Sequence, residues 1–205
     1  MELHEALSQI THIRRQLAHT EQFRGYRAAP VACSGLLACL AGLLQSFWIT
    51  EPAAHLAEYL ILWIAVAVLS FAICLGEVWR GYHSSTGLLH QQTTRLALAQ
   101  FFPCLVAGCL LTIVVAAAAP QVAWMLPGLW GMLFSLGVFA SWRLLPRGVF
   151  LVAIYYLASS SCALAWGSGT NSFSAWTMPL LFGVGQLLSA AVLLMSERSR
   201  FGSAP

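Results

Sequence analysis

The residues able to ligate metals or carry protons are few in this sequence, and they avoid its apolar stretches. His4, His12 and His19 fall in the first 28 residues, His55 sits between two apolar runs, and His83 and His90 occupy a polar connection. A b-type haem needs axial histidines facing each other inside a helical bundle, and no histidine here lies at membrane depth. His4-Glu5 begins a zinc-protease motif, but the second histidine is missing from the position the motif requires. His83 and His90 share a side with the first-segment histidines without showing H-x-x-x-H or H-x-x-E-H spacing. No metal and no cofactor are therefore expected.

Two absences narrow the chemistry further. The chain has no lysine and no aspartate. Schiff-base cofactors and phosphate-loop lysines are excluded, as are headgroup transferases and intramembrane proteases built on aspartate. Cys33, Cys39, Cys74, Cys104, Cys109 and Cys162 all lie in apolar stretches with no C-x-x-C pair. They read as small buried hydrophobes rather than as a disulfide framework. No nucleophile, base and acid can be assembled at one depth, so an enzyme is not expected.

What remains are polar groups inside apolar runs, which are expensive in a membrane unless used. Ser135, Tyr155, Tyr156, Ser159, Ser160 and Gln186 form the candidate polar pathway, with Ser161 extending the run. The competing reading is hydrogen bonding between helices, which such side chains supply in any bundle. Ser34, Ala38 and Ala41 or Gly42, and Gly185 with Ser189, mark faces where helices approach closely. Gly183-x-Gly185 is too short for a phosphate fingerprint and reads as packing.

The elements that must position these groups follow from composition. Hydrophobic residues make up 59% of the 205 and charged residues only 8%, against about a quarter charged in a soluble domain. The chain is expected to be an all-α integral membrane protein. Six transmembrane helices are predicted, at about 29–49, 56–75, 96–119, 124–142, 149–166 and 176–195, each long enough to cross about 30 Å of hydrocarbon. Residues 81–92 read as a polar connection between the second and third. The domain organisation is thus 1–28, 29–195 for the membrane bundle, and a polar tail at 196–205.

In the first segment Leu3, Ala6, Ile10, Ile13 and Leu17 follow three-four spacing, which predicts an amphipathic helix rather than a cleaved signal, because no apolar core precedes Ala28. All ten arginines fall on one side of the six-span layout: Arg14, Arg15, Arg24 and Arg27 before the first span, Arg80 and Arg95 between the second and third, Arg143 and Arg147 between the fourth and fifth, Arg198 and Arg200 after the sixth. Positive charge stays cytoplasmic, which predicts both termini inside a bacterial-type inner membrane. Trp48, Trp124, Trp166 and Trp176 then fall at the outer boundary, Trp79 and Trp142 at the inner one.

Arg14, Arg15, Arg24, Arg27, Arg80, Arg143 and Arg147 make the candidate docking face for anionic inner-leaflet lipid or a protein partner, either another protein or a second copy. The net charge of +3 is too small to point to nucleic acid. The leading expectation is a non-enzymatic scaffold or accessory subunit with an arginine-rich cytoplasmic face. The alternative is a small-solute transporter or channel subunit using the polar run on spans four to six.

Overall fold

A computed structural model describes residues 28–49, 51–84, 88–142, 145–167 and 169–201. The predicted N-terminal amphipathic helix, together with Arg14, Arg15, Arg24, Arg27 and Arg143, lies outside the described residues. Among those described, the chain is all-helical: α1 (Ala28–Trp48), α2 (Leu56–Ser84), α3 (Leu88–Ala118), a 3-10 turn (Pro120–Met125), α4 (Leu126–Ser141), α5 (Val149–Trp166), a second 3-10 turn (Gly169–Phe173), a π-helical turn (Pro179–Val184) and α6 (Gly185–Phe201). Six stretches are long and apolar enough to cross a membrane. The architecture is that of a multi-pass membrane protein.

Two boundaries differ from the sequence reading. The connection at 81–92 is mostly helical: α2 runs to Ser84 and α3 starts at Leu88, so the two form a long hairpin that extends past its apolar windows, Leu56–Glu77 and Ala99–Ala118. Helix propensity explains this, since Leu88, Leu89, Gln91, Gln92 and Arg95 are good formers and no proline interrupts them. α3 also continues through Pro103. At the other end of the chain, α6 passes the expected stop at Met195 and runs to Phe201, because Ser196-Glu197-Arg198 contains neither glycine nor proline to end it.

The neighbours are arranged in a ring. α1 packs against α2 and α6, α6 against α5, α5 against α4 and α4 against α3, while α2 and α3 touch only sparsely. Lipid is as apolar as leucine, so close packing in a membrane depends on backbones meeting over small residues. α1 carries such a face, with Val31, Ser34, Gly35, Ala38, Ala41 and Gly42 buried. A Cβ on Gly35 would come within 3.0 Å of the Gly183 carbonyl, and one on Gly42 within 2.7 Å of the Ala175 carbonyl and closer still to the Pro179 ring.

Pro179 also opens a π-helical turn, Pro179–Val184. Pro179 stands at the first position of that turn, where its missing N–H costs little. On the other side of the last span, Gly185 is pressed against the Tyr156 ring, and Gly183 brings Cys39 Sγ to 2.7 Å from where a Cβ would stand. The small residues picked out in the sequence therefore pack within this chain. All six cysteines are free thiols.

Candidate functional site

Among the described residues, a set of connected buried polar groups lies at the end of the bundle opposite Arg80 and Arg147. It begins with Gln45, which continues the buried face of α1 one turn beyond Ala41 and Gly42 and is only 1% exposed. Its amide nitrogen donates to the Phe173 carbonyl at 2.7 Å, and its amide oxygen accepts from Trp63 Nε1 at 2.8 Å. One side chain on α1 thus ties α2 to the 3-10 turn Gly169–Phe173, 128 residues further along the chain.

Tyr59 lies one helical turn before Trp63 on α2, so both rings point to the same side. It is fully buried, with the Phe173 ring edge-on at 4.9 Å and the Trp63 ring at 6.4 Å. Its hydroxyl has no hydrogen-bond partner. Ala38, Ala41, Leu60, Val115, Leu126 and Met178 complete the apolar surround.

Two further ties converge on the same end. Ser172 Oγ donates to the Trp124 carbonyl, which binds the 3-10 turn to the start of the fourth span. Trp130 Nε1 donates to Thr112 Oγ1 at 2.8 Å, and Thr112 in turn donates to the Gly108 carbonyl at 2.7 Å, joining α4 to α3. Charged groups stay at the rim, where His55 Nδ1 and Glu58 Oε1 are 3.1 Å apart and both are exposed. Among the described residues no charged side chain is buried, and no group of three metal-ligating side chains occurs.

The sequence-derived pathway residues are spread over two environments. Ser135, Tyr156 and Ser160 are fully buried in the seams between α4, α5 and the last span. Ser135 Oγ donates to the Ala153 carbonyl at 3.0 Å, and Ser160 Oγ faces Gly131 of α4 with no partner. Phe134, Phe182 and Tyr156 pack against one another with ring centroids 4.8–5.9 Å apart. Tyr155 is on the exposed flank, donating to the Leu180 carbonyl at 2.5 Å. Ser159 and Ser161 turn back to carbonyls of their own helix, and Gln186 is half-buried on the last span.

At the arginine end, Arg80 is exposed and 3.5 Å from Glu77, and Arg147 is exposed at the start of α5. Trp79 and Trp142 flank them on the surface, as do Trp48, Trp166 and Trp176 at the opposite end. Gln45, Tyr59, Trp63, Thr112 and Ser172 were not singled out as a site by the sequence reading. The available signal was register: Gln45 falls three residues after Gly42, on the same face as Ser34 and Ala38.

No family model matches the chain, nor does any curated protein or solved structure.

Proposed function

We propose that this chain is a non-enzymatic accessory or scaffold subunit of a bacterial-type inner membrane, with both ends and the arginine-rich face in the cytoplasm. The observation that carries this reading is the uneven burial of the spans. In the apolar windows of α1 and of the fourth span, 44% of residues are buried, against 17% for α2 and 11% for α3. Val68, Leu69 and Phe71 of α2 and Phe102, Leu110 and Ile113 of α3 all face outward. A hairpin that its own bundle covers so little offers two long apolar flanks to another transmembrane segment.

The length of the hairpin supports the same reading. Beyond the apolar windows α2 continues from Val78 to Ser84 and α3 begins at Leu88, which at 1.5 Å per residue extends the helices roughly 10–16 Å past those windows. Arg80 stands at this margin beside exposed Trp79, a pairing suited to anionic headgroups or an acidic partner surface. The transporter reading draws less support, because Ser135, Tyr156 and Ser160 lie in closed seams between helices.

Site-specific photo-crosslinking in native membranes tests the proposal. Probes at Val68 and Ile113 should join this chain to one discrete protein, another subunit or a second copy, while a probe at exposed Leu151 on α5 reports lipid. Lipid adducts alone at all three positions would refute it.

A further inference from the structure

We propose that Phe173 plugs a ligand site at the end of the bundle opposite the arginines, in which Tyr59 and Gln45 hold a small neutral molecule carrying an aromatic ring, a carbonyl and a second hydrogen-bond acceptor. The observation that starts the argument is the Tyr59 hydroxyl, fully buried and without a partner. Phenylalanine would make the same ring contacts with Phe173 and Trp63 without desolvating a hydroxyl. Packing therefore gives no reason for the phenol, and buried polar groups that lack a partner call for a functional account.

The plug is a short element, a single 3-10 turn between two spans. The turn Gly169–Phe173 is attached to its neighbours through Ser172 to the Trp124 carbonyl, through the Phe173 carbonyl to Gln45, and through the Asn171 carbonyl, which accepts from Ser174 N–H at 3.1 Å and Thr177 Oγ1 at 3.5 Å. A single 3-10 turn has poor internal hydrogen bonding. Its displacement would release two groups together: the Gln45 amide donor and the face of the Tyr59 ring.

The chemistry of the ligand is read from what Phe173 now supplies. Its carbonyl satisfies Gln45 and its ring meets Tyr59 edge-on at 4.9 Å. A molecule taking its place needs a ring for Tyr59 and an acceptor for Gln45. It also brings what Phe173 lacks, an acceptor for the Tyr59 O–H. The surround is apolar and no charged side chain is buried there, with His55 and Glu58 turned to the rim, so a neutral molecule fits and a charged one is disfavoured by desolvation.

Nicotinamide carries that combination, and benzamide is the same shape without the ring nitrogen. With the full chain in lipid nanodiscs, saturable nicotinamide binding by calorimetry or thermal shift is expected in the millimolar range. Tyr59→Phe should raise the midpoint of thermal unfolding while weakening nicotinamide about tenfold, and benzamide should be affected much less. Phe173→Ala should tighten both probes, since the plug no longer competes. If Phe173→Ala does not fold, the wild-type and Tyr59→Phe comparison decides alone. Three results would overturn the proposal: no saturable binding of nicotinamide to the folded wild type, binding unchanged by Tyr59→Phe, or a Tyr59→Phe protein that is less stable and binds as before.

Discussion

Replacing Gln45 by leucine removes the central tie of the bundle while nearly conserving volume, which isolates the hydrogen bonds from packing. Two bonds are lost, to the Phe173 carbonyl at 2.7 Å and from Trp63 Nε1 at 2.8 Å. A net hydrogen bond contributes about 0.5–1.5 kcal/mol, and interhelical bonds measured within membrane proteins average about 0.6 kcal/mol. The pair alone is therefore worth about 1–2 kcal/mol. Trp63 and Phe173 are both buried, so an indole N–H and a carbonyl are left without partners, which pushes the cost to the top of that range, about 2 kcal/mol. Reversible unfolding by SDS in mixed micelles, followed by circular dichroism, would measure it. A cycle with Trp63→Phe should show a coupling of about 0.6 kcal/mol. Gln45→Leu that is neutral or stabilising, or a cycle that is additive, would refute the claim that this amide holds α1, α2 and the 3-10 turn together.

Other outcomes follow from the same geometry. Gly42→Ala should destabilise by about 1–3 kcal/mol in the same unfolding assay, because its Cβ would enter the Pro179 ring and the Ala175 carbonyl, whereas Gly76→Ala, with nothing within 4 Å, should be neutral or raise stability by up to about 1 kcal/mol. Reporter fusions after residue 1 and residue 205 should both read as cytoplasmic, and an active periplasmic phosphatase at either end would contradict the proposed orientation. Purified protein should show no visible absorption band; a stoichiometric Soret band lost on mutating His83 or His90 would contradict the expectation of no cofactor.

The six spans were legible because they depend on a property visible at any single position, the long absence of charge. At 81–92 polarity marked a connection without giving its conformation, and polar residues such as Gln91, Gln92 and Arg95 continue a helix well. The small-residue face of α1 was legible from its three-four spacing. The site around Tyr59 was not, because it joins groups from Gln45 to Phe173, and hydrogen bonds across 128 residues leave no trace in local pattern. The sequence reading looked for polar residues at mid-depth. Gln45 sits near a helix end, where polarity alone carries no signal.

The distribution of close contacts divides the bundle into parts held in different ways. Lipid gives helices no hydrophobic reason to associate, so a span stays where its backbone is approached closely or where a polar group is tied. Gly35 and Gly42 on α1, Gly128, Gly131 and Gly137 on α4, and Gly183 and Gly185 on the last span all stand where a Cβ would collide with a neighbouring element. Gly76 and Gly108 of the hairpin do not: Gly76 meets nothing within 4 Å, and Gly108 meets only Leu133 at 3.9 Å. Toward one end the hairpin is also tied by side-chain hydrogen bonds, Trp63 to Gln45 and Trp130 to Thr112. Its two helices touch each other sparsely. Toward the other end, α3 is held by the close approach of Gly137 on α4 to Phe101 and Cys104.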